Sequence, residues 1–187
     1  MRDTVHKKII AAISAIIILG GVTMALAGLF TKKYLNDYAA NTPTMRIEEY
    51  FNGPIQGWGI IQDRAGNVLR RFDVSMIGEW QGDKGILREQ FKYDDGENQN
   101  RVWTIEKLSQ NTYRGTAPDI IGEASGAVAG NAAQWNYTMD IPVDGKKYRI
   151  YFDDWMFLMN DGVLVNRSYL KKFGFTVAEL TIFMKKM

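Results

Sequence analysis

The 187-residue chain is 46% hydrophobic and 24% charged, with a formal net charge of +2, no cysteine and a single histidine, His6. A chain of this length buries a sizeable core without a disulfide or metal staple. The missing residue types exclude a thiol nucleophile, Cys- or His-ligated zinc, a Ser-His-Asp triad and a disulfide framework. Carboxylate, tyrosine or lysine chemistry survives, or a binding role, and no cofactor or metal is implied.

Residues 1–33 read as a membrane anchor with basic flanks. Ile9 to Phe30 is a run of 22 residues without a charge, and about 20 apolar residues suffice to cross the ~30 Å hydrocarbon core. Arg2, Lys7 and Lys8 precede the run and Lys32 and Lys33 follow it. That bias predicts a single-pass inner-membrane protein with a cytoplasmic N-terminus and a periplasmic bulk. The alternative is a cleaved signal peptide, for which Ala25-Leu26-Ala27 supplies a small-x-small site. Beyond the flank the chain carries 18 basic and 20 acidic residues, a net of −2. The exported part therefore lacks the basic footprint of a nucleic-acid binder.

Residues 34–55 read as a linker and short helix, the helix falling at Met45–Phe51 behind Pro43. From Gln56 the hydrophobic period changes to two. Phe72, Val74, Met76 and Trp80 share one face, and Arg71, Asp73 and Ser75 take the other. Turn signals then recur at 64–67, 82–85, 94–97, 110–111, 143–146 and 160–162. The segments between them are Ile86–Tyr93, Val102–Leu108, Tyr113–Ile121, Gln134–Ile141, Tyr148–Leu158, Val163–Leu170 and Phe175–Met184. With the two segments before Gln81 and the Gly-rich stretch after Gly122, they make nine or ten strands. Connections this short cannot cross over between parallel strands, so the sheet is expected to be antiparallel. A long meander closes to remove its edges. The expectation for residues 56–187 is an all-β antiparallel up-and-down barrel, or a strongly curved sandwich.

Several strings resemble a bacterial envelope family. They are Phe51-Asn52-Gly53, Gly57-Trp58-Gly59-Ile60-Ile61-Gln62-Asp63-Arg64, Phe91-Lys92-Tyr93-Asp94-Asp95-Gly96-Glu97, Arg101-Val102-Trp103, Gly130-Asn131-Ala132, Phe152-Asp153-Asp154-Trp155-Met156, Asn166-Arg167 and Lys172-Phe173-Gly174-Phe175. From about Glu49 to the C-terminus the chain looks like domain-of-unknown-function family 3833. The resemblance implies a lipocalin-like barrel, mostly found in Gram-negative lipoproteins whose genes lie near those for fatty-acid modification. It brings no activity with it. Leu26-Ala27-Gly28-Leu29 resembles a lipidation box, but Leu29 stands where the acylated cysteine would be. Without that thiol, membrane attachment falls to the uncleaved Ile9–Phe30 segment.

Strand faces supply the candidate site. Glu89 shares an apolar face with Leu87, Phe91 and Tyr93; Arg101 shares one with Trp103 and Ile105; Asp119 falls on the face of Tyr113, Gly115 and Ala117. A charge on an inward face must be paired or hold a ligand. The two readings are an internal salt-bridge cluster and an Arg101 clamp for a carboxylate or phosphate head group. Trp103, Tyr93 and Trp58 are the aromatic candidates, Trp58 as a plug of the barrel floor or as plain core. Neighbouring Asp153 and Asp154 point to opposite faces and cannot form a two-carboxylate site. Asp154 is expected to satisfy Arg167 in a structural polar network. Asp94-Asp95-Gly96-Glu97 reads as a hairpin turn rather than a Ca²⁺ loop. The small residues from Gly115 to Ala132 predict either a cavity or close backbone approach.

Three roles follow as expectations. The first is a membrane-anchored periplasmic barrel that binds a fatty-acid-like or lipid amphiphile. The second is a structural or assembly partner of inner-membrane proteins. The third is a carboxylate-based enzyme acting on a lipid, with Glu89 or Asp119 carrying the proton.

Overall fold

A computed structural model describes residues 34–143 and 145–187, and residues 35–187 form one compact unit. The anticipated membrane segment Ile9–Phe30 lies outside the described residues, among which no helix is long and apolar enough to cross a membrane.

Ten strands make a closed, wholly antiparallel barrel in which each strand pairs with its neighbours in the chain and the last returns to the first. They are β1 (Gly53–Asp63), β2 (Val68–Gln81), β3 (Lys84–Tyr93), β4 (Asn98–Lys107), β5 (Thr112–Thr116), β6 (Ala124–Ala129), β7 (Ala132–Val143), β8 (Lys146–Leu158), β9 (Val163–Lys172) and β10 (Phe175–Lys186). Closure runs from Ile55 opposite Lys186 to Asp63 opposite Ala178, so no long edge is left open. The alternation expected for the second strand is observed: Phe72, Val74 and Met76 are buried while Arg71, Asp73 and Ser75 are exposed.

One strand is shorter than its sequence suggests. The Tyr113–Ile121 segment forms β5 only as far as Thr116, and residues 117–123 run as a loop. Pro118 removes a ladder donor at this point. Because β5 and β6 both stop short, β4 pairs with β5 only over Thr104–Lys107, and β7 pairs with β6 only over Ala132–Asn136. The mouth-side half of the wall between β4 and β7 is instead covered by this loop. Ile120 bridges to Met139, and the Ile121 amide donates to the Thr138 carbonyl at 2.7 Å.

One end of the barrel is plugged by the single helical turn α1 (Ile47–Tyr50) and its flanks. Met45, Ile47, Tyr50 and Phe51 are all buried. The Tyr50 hydroxyl donates to the carbonyls of Gly162 (3.2 Å) and Met184 (3.1 Å), and Trp80 Nε1 donates to the Phe51 carbonyl at 3.0 Å. Gly78 permits this docking, because a Cβ there would lie 1.9 Å from the Phe51 carbonyl oxygen. The preceding linker packs on the outer wall, where the Tyr38 ring meets Phe157 and Trp155 at 5.2 and 6.1 Å.

The small-residue stretch serves close approach. A Cβ on Gly115 or Gly126 would come within 2.4 or 2.1 Å of the Trp135 ring, which fills the volume those strands give up.

Candidate functional site

Above the plug lies a lumen of about 470 Å³, partly open at the opposite end. Its floor is Ile47 and Phe51; Phe72, Trp103, Tyr137 and Phe152 are among the aromatic side chains of its wall. Tyr137 stacks on Phe152 at 4.7 Å and meets Trp103 edge-on at 5.3 Å. A separate hollow of about 550 Å³ on the outer wall lies beside Trp58, Gly59 and Phe183. It is open to solvent and includes no side chain of the polar cluster described below, so the lumen is the candidate site.

Of the charged groups Glu89, Arg101, Asp119 and Asp154, all but Asp119 come from strand positions that pleating turns inward. Glu89 and Arg101 are directly opposite on β3 and β4. The 117–123 loop carries Asp119 to Arg101, whose Nη2 and Nε lie 2.7 and 2.8 Å from Asp119 Oδ2. Arg101 Nη2 also reaches the Met139 sulfur at 3.5 Å. The three charges, expected to find each other or a ligand, come together, with Glu89 opposite Arg101 and Arg101 already holding the Asp119 carboxylate. Burial alone would lower the Arg101 pKa, but the facing Tyr137, Glu89 and Asp119 outweigh it and hold the guanidinium charged.

Asp154 is also inside, on β8 level with Trp135 of β7 and Ser168 of β9. Burial raises its pKa to about 7, against the opposing effects of Ser168, Arg101 and Tyr137. Burial likewise raises Glu89 to about 7, although the Arg101 charge and the Trp103 side chain pull the other way. Among the described residues, Glu89 Oε2, Asp119 Oδ1, Asp154 Oδ1 and Asn166 Oδ1 are buried without a hydrogen-bond partner, and all four residues line the lumen. Leaving such a group unpaired costs about 1–3 kcal/mol.

Two expectations are corrected. Arg167 does not meet Asp154: it sits on the outer face and pairs with Glu179 across β9 and β10. Asp154 stands opposite Ser168, one residue further along β9, and a shift of one residue reverses the face. Trp58 is not in the lumen either. It is 50% exposed and faces outward opposite Phe183, since Gly57 and Gly59 take the inward positions of β1.

The other candidates are placed as follows. Trp103 and Tyr93 line the lumen, Tyr93 near the mouth with its hydroxyl donating to Gln99 at 3.1 Å and the Arg70 guanidinium 3.7 Å above its ring. Asp153 points outward to Gln134 and Lys171. Asp94, Asp95 and Glu97 form a hairpin turn tied to Arg71 and Arg70, and no acidic or histidine cluster suited to a metal occurs among the described residues.

Tyr137, Asn166 and Ser168 join the site although none is among the candidate site residues above. For the last two the signal was present: Leu164, Asn166, Ser168 and Leu170 alternate on one face of β9, and all four are buried. Two polar residues between two leucines on an inward face mark a polar patch.

The chain belongs to the family described as protein of unknown function (DUF3833), whose model matches residues 23–186. No curated protein matches the chain.

Proposed function

We propose that this family member is a membrane-anchored periplasmic barrel that binds one amphiphile in its lumen, in support of lipid modification or envelope maintenance. The observation that carries the reading is the lumen itself. About 470 Å³ of recessed space, walled by aromatic and aliphatic side chains with a few convergent polar groups, has the size and lining of a small-molecule site. A barrel built only for stability would close this volume with side chains, because voids cost packing energy. The uncharged run Ile9–Phe30 and its basic flanks support the inner-membrane address, and Leu29 in the lipidation-like box supports a retained anchor.

The hydrocarbon chain lies against Phe72, Phe152 and Ile182, with the head group among Arg101, Glu89, Asp119 and Asp154. Native mass spectrometry of the full-length protein released gently from its membrane, followed by lipid extraction, tests the reading. One co-purifying amphiphile per chain is the expected result. Protein that carries none, and takes up none when offered long-chain acids, alcohols and amines, refutes it.

A further inference from the structure

The polar end of the lumen is short of donors. Arg101 is committed to Asp119, while Glu89, Asp119, Asp154 and Asn166 each present a buried acceptor oxygen with no partner among the described residues. Charge runs the same way. The lumen lining carries five carboxylates against two guanidiniums. At the mouth the acids are answered: Glu97 pairs with Arg70, and Asp140 with Arg149. Deeper in, Arg101 is the one cation among the described lining residues near Glu89, Asp119 and Asp154, with Trp103 bonded to Glu89 and Ser168 and Tyr137 bonded to Asp154. The rings of Trp103, Tyr137 and Phe152 line the same lumen and pack on one another, Tyr137 stacked on Phe152 and edge-on to Trp103.

Resting on the amphiphile reading, we infer that the head group taken here is a primary ammonium, whose N–H donors answer the unpaired carboxylate oxygens of Glu89, Asp154 and Asp119. A carboxylate or phosphate head would need Arg101 to leave Asp119 and would add negative charge to an already acidic, desolvated pocket. An ammonium supplies three donors and one positive charge, and hydrogen bonds between charged partners are the strong ones. The ligand class is a single-chain amphiphile with a free amine, an aminolipid or long-chain base.

The test uses the full-length protein held in amphipol, with N-phenyl-1-naphthylamine as a fluorescent lumen probe. Dodecylammonium, dodecanoate and dodecanol compete for it at about pH 8, above the values to which burial raises Glu89 and Asp154. Dodecylammonium is expected to displace the probe at about tenfold lower concentration than either of the others. That preference should persist in about 0.5 M salt, which screens surface attraction but not a buried pair. It should collapse in the Glu89→Gln/Asp154→Asn variant. Should that variant fail to fold, the wild-type comparison in high salt decides by itself. Dodecanoate or dodecanol competing as well as the amine overturns the inference and leaves the amphiphile reading standing, and so does a preference that salt abolishes or the variant keeps. If the probe does not bind and no dodecyl compound is taken up, the amphiphile reading falls, and this inference with it.

Discussion

The plug and the waist of the lumen treat buried polar groups in opposite ways. At the plug, Glu48 accepts from Lys107 at 2.5 Å and from the Tyr113 hydroxyl at 2.6 Å, and the Tyr50 and Trp80 donors each find a carbonyl. Burial works against the Glu48 charge, yet the bonds from Lys107 and Tyr113 outweigh it and lower its pKa. At the waist, burial wins: Glu89 and Asp154 are pushed up to about 7 with oxygens left unpaired. The chain thus pairs Glu48, Tyr50, Trp80, Lys107 and Tyr113 at the plug and leaves Glu89, Asp119 and Asp154 each with an unpaired oxygen where space remains. The first arrangement is that of a structural network, and the second supports the proposed site.

Substitutions that break the plug should cost most. Phe51→Ala removes a buried ring from the floor and is expected to lower stability by about 3–5 kcal/mol, read as a shift in the denaturant midpoint. Glu48→Ala strands the Lys107 ammonium and the Tyr113 hydroxyl together and should cost about 1–3 kcal/mol. If it proves neutral, the plug is held by packing alone and the contrast with the waist weakens.

At the waist the sign reverses. Glu89 and Asp154 have ordinary values of 4.5 and 3.8 and folded values of about 7. Between these limits the folded chain holds protons that the unfolded chain releases, so stability falls as pH rises from about 4 to 7 and levels off above. Glu89→Gln and Asp154→Asn should therefore raise the stability of the ligand-free protein near pH 8 by about 1–3 kcal/mol and flatten that slope, while changing little near pH 4. Thermal melts across the pH range check this. A loss of stability at high pH in both variants would mean that the carboxylates are partnered after all. The smallest effect belongs to the outer wall. Trp58→Ser should shift stability by less than about 1 kcal/mol and leave amphiphile binding unchanged, since its ring faces away from the lumen.

Most of the barrel was legible because strand alternation and turn residues are local signals. Phe72 to Met76 shows its inward face without help from the rest of the fold, and Asp94 to Glu97 announces its turn. Opposite faces for Asp153 and Asp154 follow from the pleat alone. The strand extending to Ile121 was misread because alternation continues through Ala117 and Asp119, whereas Pro118 and the lost pairing partner end β5 at Thr116. Trp58 was misplaced for a related reason. A large ring is ordinarily buried, yet Gly57 and Gly59 lie against Val74 and Phe72, which take up the inward space. Arg167 and Asp154 were joined on charge alone, and only the β8–β9 register, a long-range fact, separates them. The meeting of Glu89, Arg101 and Asp119 was legible as a need for partners. Which oxygens stay unpaired was not, because that depends on how a loop folds over the wall.

The most direct test of the central claim is to fill the lumen. Ile182→Trp places an indole in the space assigned to the hydrocarbon chain, and calorimetric titration of full-length wild type and variant with a dodecyl amphiphile compares them. The account predicts saturable binding of one molecule per chain in the wild type and at least a tenfold loss in a variant that remains folded. Equal binding by the two proteins would place the ligand outside the barrel and contradict it.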